Sequence, residues 1–335
     1  MNNFNKLGVT SGNSWSREIT HRAKEYSTEE KAEILYKAMY RNQPSFDDFR
    51  GRDGYSDKML RADAGYVRKR KEEIAKKDQQ TKTEYARNDR WSAQAEPILT
   101  YIMNTDQFLP TRESFAHLAH EYDDLSNGTD IVFCVSSKNG GNITCSVDVA
   151  TDTDQRRIMG KFRESGRMHK TTPPWAANVR YCYHGDERWE ELEAPHFILG
   201  LMPSRIDDAT DAVNIKDGLI SGRESDLKTD FKLASEMREQ ILMQLAFLRA
   251  EVGVDNKSRM AKLSDLLNAI NTKLGRVCGV EGETKEEWAN DFEKKYKKTK
   301  EQMREDLVYR HIIDEAKNRT NFVRGKRIRR IDNAA

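Results

Sequence analysis

Three features of this sequence predict a mixed α/β protein with a sheet core flanked by helices. The middle of the chain carries two β-rich runs, residues 130–135 (Asp-Ile-Val-Phe-Cys-Val) and 143–151 (Ile-Thr-Cys-Ser-Val-Asp-Val-Ala-Thr). Helical periodicity brackets them on both sides, with capping boxes at Ser27–Glu30 and Thr284–Glu287. The final third repeats long amphipathic stripes, which predicts a long-helical C-terminal region.

The chain has 335 residues, enough for two or three domains. Three segments are expected: a helical, charged, partly flexible region over 1–90, an α/β core over 91–205, and a helical region with a basic tail over 206–335. Charged residues make up 33% and hydrophobic ones 37%, so much of the chain is solvated helix. The net charge of +2 gives no strong whole-molecule field, and nucleic-acid affinity would have to come from local patches. No apolar run reaches the length of a membrane span, and the first residues lack a secretory core. The four cysteines form no CxxC pair, which predicts buried thiols in a reduced, cytoplasmic protein.

The elements follow in chain order. Ser27–Glu30 opens a helix with Ala32, Leu35, Tyr36 and Met39 on one face, stopping near Pro44. A glycine-bearing turn covers 46–54. Residues 56–88 are helix-forming with few apolar positions, as an exposed helix or a semi-disordered arm. Residues 95–103 predict a short apolar helix. Pro110 opens another, with Phe115, Leu118 and Ala119 as its buried face and with His117 and His120 three apart on it, close to Glu121, Asp123 and Asp124, a spacing that can place two metal ligands on adjacent turns. The two β-rich runs come next, joined by the polar loop 136–142. A helix over 152–163 packs through Ile158, Met159 and Phe162. Val179, Tyr181 and Tyr183 alternate as a strand would, and residues 195–201 read as a strand buried on both faces. Everything after Arg205 reads as helix.

Two carboxylates stand out. Asp130 opens the first β-rich run, and Asp148 sits in the most apolar part of the second. A carboxylate there costs several kcal/mol unless it is paired, hydrogen-bonded or bound to metal. Along a strand, Ser146, Asp148 and Ala150 share a face. A purely structural reading stays open: Asp130 ends a turn after Asn127-Gly-Thr129, and Asp148 caps a helix or pairs with an arginine.

The order helix, strand, strand, helix, strand, strand, with an acid on each of two adjacent strands, resembles the core of the PD-(D/E)xK nuclease superfamily over residues 91–205. That resemblance implies a restriction-endonuclease-like fold, with Asp130 and Asp148 holding Mg²⁺ or Mn²⁺. The family's lysine would stand at Ala150, so the chain departs from the motif. Lys161, Arg156 or Arg157 on the next helix are the candidates to replace it, and Glu113 or Glu121 to add a carboxylate. The wider pattern, Asp148-Val-Ala-Thr151, Pro195-His-Phe-Ile-Leu and Ile241-Leu-Met-Gln-Leu245, is similar to bacterial proteins without an assigned activity.

The expected function is metal-dependent hydrolysis of nucleic-acid phosphodiesters, or nucleic-acid binding by an inactive descendant. Asp130, Asp148 and Lys161 are its catalytic candidates, and Asp130, Asp148 and Glu121 its metal ligands. Arg156, Arg157 and the tail residues Arg324, Lys326, Arg327, Arg329 and Arg330 would contact phosphates. The alternative is a non-enzymatic protein whose C-terminal helices bind a protein partner or a second copy. No membrane partner is expected.

Overall fold

The computed structural model describes residues 26–80, 85–105, 108, 114–136, 142–151, 156–161, 176–182, 192–213, 215–216, 219–220, and parts of 233–245 and 307–314. Its elements are α1 (Thr28–Tyr40), a 3₁₀ turn (Phe46–Phe49), α2 (Asp57–Gln80), α3 (Tyr85–Met103), β1 (Ser114–Leu118) and α4 (Glu121–Asn127). They continue with β2 (Ile131–Ser136), β3 (Asn142–Ala150), a helical segment α5 over 156–161, β4 (Ala176–Val179), β5 (Leu192–Gly200) and α6 (Pro203–Ala212). The short strands β6 (Ile215–Lys216) and β7 (Leu219–Ile220) close this part as a separate two-stranded ladder.

The main sheet has five strands in the order β1-β2-β3-β5-β4. β1, β2 and β3 form an antiparallel meander. β5 then runs parallel to β3, after the chain has crossed over through α5 and β4. A parallel neighbour cannot be reached by a tight turn, so a crossover is needed at this point. β4 is antiparallel to the first half of β5.

The capping box of α1 is present, with the Ser27 hydroxyl accepting from the Glu30 amide and Glu30 accepting from the Ser27 amide. Ala32, Leu35 and Met39 are buried as expected. The stretch expected over 56–88 divides into α2 and the start of α3, with 81–84 outside the described residues; the charged surface of α2 hides a narrow buried stripe of Leu60, Asp63 and Val67. β5 is buried on both faces, with Phe197, Ile198 and Leu199 fully enclosed. One apolar cluster takes in Leu35 of α1, Ile98, Leu99 and Ile102 of α3, Phe133, Val147 and Leu199 of the sheet, and Val308 and Ile312.

Several expectations need correction. The segment after Pro110 is not a helix from 114 onward but strand β1, paired residue by residue with β2 from Ser114 against Val135 to Leu118 against Ile131. Phe115, Leu118 and Ala119 fit a helical spacing, but Ser-Phe-Ala-His-Leu also fits a strand, and pairing with β2 decides it. His117 and His120 therefore share no helix: His117 lies on β1 and His120 caps α4. Glu121 lies on α4, after β1, rather than on a helix before the strands. The strand expected through Tyr183 ends at Val179, and Tyr181 instead packs edge-on to Phe49 and Phe46. β6 and β7 interrupt the helical region expected after Arg205.

The edge of β5 that β4 leaves unpaired carries an unusual device. β4 covers only its first half, up to Pro195. Beyond that point the Gln244 side chain accepts from the Ile198 amide and donates to the Ile198 carbonyl, and Gln240 does the same for Gly200. Residues four apart on a helix rise about 6 Å, close to the roughly 6.6 Å of two strand residues. Two glutamines one helical turn apart thus substitute for a neighbouring strand.

Buried carboxylates fix the other flank. Asp123 of α4 is fully enclosed and accepts from the Arg180 and Tyr181 amides, both at 2.8 Å. Asp63 of α2 accepts from the Tyr181 hydroxyl and the Arg180 guanidinium. These bonds tie α2 and α4 to the end of β4 and leave the other end of α4 facing the site.

Candidate functional site

The site is assembled where β2 begins and β3 ends. Asp130 immediately precedes β2, whose first pair is Ile131 with Val147, so its neighbour across the ladder is Asp148. The Asp130 amide donates to the Val147 carbonyl at 2.8 Å, and the Asp130 carboxylate accepts from the Val149 amide at 2.6 Å. The side chain is thereby clamped against β3. Asp148 is 7% exposed and shares its face with buried Ser146 and Ala150.

Gly128 lies against Asp148. It ends α4 in the left-handed conformation, at φ 63°, and a Cβ there would stand 3.7 Å from Oδ2 of Asp148. The turn expected at Asn127-Gly-Thr129 is present, and it brings α4 directly over the second acid.

Lys161 reaches back from α5. Its ammonium donates to Oδ1 of Asp148 and, at 2.9 Å, to the Val149 carbonyl. Asp148 is therefore paired with a lysine rather than an arginine. A cation from the following helix now stands beside the strand position where Ala150 carries none. Arg156 and Arg157 lie on the exposed side of α5. The tail residues Arg324, Lys326, Arg327, Arg329 and Arg330 lie outside the described residues, as does Glu113.

Two further carboxylates complete the cluster: Glu96, which the sequence does not single out, and Asp124, which it offers only as a neighbour of His117 and His120. Glu96 comes from α3 and accepts from the Tyr40 hydroxyl at 3.4 Å. Asp124 comes from α4. The signal for Glu96 was a lone acid between Ala95 and Pro97 in an otherwise apolar stretch. Asp124 carried none of its own, because an acid in the first turn of a short helix is ordinary. Glu121 lines the same cleft but is committed to Lys71, with Oε1 2.6 Å from its ammonium.

Crowding of like charges away from water shows in the proton affinities. Burial, then the charge of Asp124, pushes the Glu96 carboxyl up to about 8. Burial, then Asp148, pushes Asp124 up to about 6. Burial, then Glu96 and Asp148, raises Asp130 well above the carboxylate range. Burial by itself would lower Lys161, but Asp148, Asp130 and Glu96 outweigh it and raise its affinity for the proton. Groups of one sign packed this closely must hold protons or a cation.

The donor set consists of carboxylate oxygens, the ligands of a hard divalent cation such as Mg²⁺ or Mn²⁺. Among the described residues no group of three or more His, Cys, Asp or Glu side chains is arranged to hold a metal ion. Lys161 engages Oδ1 of Asp148, and the Val149 amide engages Oδ2 of Asp130.

A cleft of about 250 Å³ opens beside the cluster, lined by Tyr36, Tyr40, Lys71, Glu96, Glu121, Asp124 and Asp130 among others. The histidines lie apart in their bonding. His117 Nδ1 is 2.7 Å from the Leu118 carbonyl, and His120 Nδ1 accepts from the Tyr122 amide. Cys134, Cys145 and Cys182 are buried and form no disulfide with one another. No helix among the described residues is long and apolar enough to cross a membrane. The chain matches no family model, no curated protein and no solved structure.

Proposed function

We propose that this chain is a metal-dependent phosphodiesterase of the restriction-endonuclease-like type, acting on nucleic acid. The observation that carries the reading is the cross-strand acid pair Asp130 and Asp148 with Lys161 bonded to the second acid. The antiparallel meander followed by a crossover to a parallel strand supports it, because that order places the two acids at the point where the sheet changes direction. Function is argued from this site and not from the fold alone.

Asp130 and Asp148 would hold Mg²⁺ or Mn²⁺, with Glu96 or Asp124 as a further ligand. When bound, such a cation supplies Lewis-acid polarisation of a phosphodiester and a more acidic water. The remaining work falls to the chain's own groups. Lys161 keeps its proton at neutral pH, so it acts as a fixed positive charge beside the negative charge that develops on phosphorus oxygens. It is not a general base. Its bond to the Val149 carbonyl aims the ammonium.

The test is cleavage of mixed single- and double-stranded DNA and RNA with Mg²⁺, Mn²⁺ or EDTA. Wild type should cut only with metal. Asp148→Ala should abolish cutting, and Lys161→Met should slow it by about 10²–10³. Activity that persists in EDTA or in Asp148→Ala would overturn the assignment.

A further inference from the structure

The cleft beside the acids is small, about 250 Å³, against the roughly 300–1,000 Å³ of pockets that enclose drug-sized ligands. One flat group fits in it, and a base pair does not. Its mouth carries Tyr36, a large aromatic side chain left 41% exposed on α1. The Tyr36 ring lies 3.9 Å from that of Tyr40 at an interplanar angle of 29°, so the pair forms a stacked platform. Tyr40 in turn donates to Glu96, which fixes the platform to the carboxylate cluster. Leu118, Ala119 and Leu125 supply apolar lining.

The charges of the cleft say which part of a nucleotide enters it. Glu96, Glu121, Asp124 and Asp130 line it, against Lys71 alone on the positive side. A phosphate inside would meet several carboxylates. The edge of a base carries both donors and acceptors, which suits carboxyls that hold a proton as well as ionised ones that only accept. The backbone therefore stays at the Lys161 side of the cluster while a base enters the cleft.

We infer that the cleft receives the base of one unpaired nucleotide, stacked on Tyr36, so that the nucleic acid engaged at this site is single-stranded. The inference rests on the phosphodiesterase reading for what happens at the neighbouring acids, but its binding step can be measured separately. A base in a duplex would first have to be unstacked and extruded, whereas a single strand presents it directly. Stacking of this kind tolerates any base, so little sequence preference is expected from the cleft.

The experiment uses the full chain and fluorescent DNA and RNA single strands of about twelve nucleotides, with their matched blunt duplexes. Binding is read by anisotropy, and cleavage on a gel, in Mg²⁺. Wild type should bind single strands more tightly than duplexes. Tyr36→Ala should weaken single-strand binding roughly tenfold, and Tyr36→Phe, which keeps the ring, should restore it. Equal affinity for duplex and single strand, or a Tyr36→Ala variant that binds like wild type, would overturn the inference. So would spermidine displacing nothing yet binding in a Tyr36-dependent manner, which would mark an organic-cation site instead. Metal-dependent cutting without Tyr36 dependence would leave the phosphodiesterase reading standing and remove this one. Tyr36-dependent strand binding without cutting would do the reverse.

Discussion

Replacing Glu96 with glutamine should make this protein more stable at alkaline pH while weakening its hold on a divalent cation. The Glu96 carboxyl goes from its ordinary 4.5 to about 8 in the folded chain, chiefly through burial and then through Asp124. Between those values the folded state holds a proton that the unfolded state has released. Stability therefore falls as pH rises through the window, with no penalty below about 4.5 and the full penalty above about 8. At about 1.4 kcal/mol per pH unit the isolated group would cost close to 5 kcal/mol. Neighbouring acids share the protons and the side chain is only partly enclosed, so about 2 kcal/mol is the recovery expected of Glu96→Gln at pH 8.5. Urea unfolding at pH 5 and pH 8.5 reads this directly. Without cation, wild type should weaken toward pH 8.5 and the variant should weaken less. Adding Mn²⁺ at pH 8.5 should stabilise wild type more than the variant, because the cation replaces the missing protons. A variant destabilised equally at both pH values would refute the reasoning, since Glu96 would then be an ordinary packing residue.

Three other outcomes test the framework around the site. Gln244→Ala removes both partners of Ile198 on the β5 edge and should cost about 2–4 kcal/mol in urea unfolding; a cost near zero would mean that water replaces the side chain. Gly200→Ala places a methyl group against Val308 and Ile312 and should cost about 1–3 kcal/mol by overpacking, relieved by Val308→Ala in the same chain. His120 is pushed down to about 4 by burial and then by His117, so its contribution is complete above pH 6.5 and is lost as pH falls from 6.5 through 4. His120→Asn, which can still cap α4, should remove that acid limb of the unfolding curve; an unchanged limb would place its origin elsewhere.

The chemistry-bearing part of the site was legible where a residue contradicted its surroundings. Asp148 is an acid among buried strand residues, and such a residue must have a partner. The family resemblance left Lys161, Arg156 and Arg157 as alternative replacements for the cation that Ala150 cannot supply, and only the folded chain brings Lys161 to Asp148. Glu96 and Asp124 were not reachable in the same way. Each sits on a helix whose approach to the sheet depends on packing far from its own sequence, through Ile98, Leu99 and Ile102 for one and through Asp123 for the other. β1 was misread because five residues fit two periodicities, and only β2 selects one of them. The glutamine edge of β5 was likewise invisible: Gln240 and Gln244 read as ordinary polar helix positions until the strand they serve is in place.

The central claim is that the acids drawn together by β2, β3, α3 and α4 form a divalent-cation site. Isothermal calorimetry of Mn²⁺ against wild type and Asp148→Asn at pH 7.5 tests it most directly. The account predicts a saturable heat with one dominant site in wild type, lost or weakened at least tenfold in Asp148→Asn while the fold is retained by circular dichroism. Saturable Mn²⁺ binding that is identical in the two proteins, or no binding in either, would contradict it.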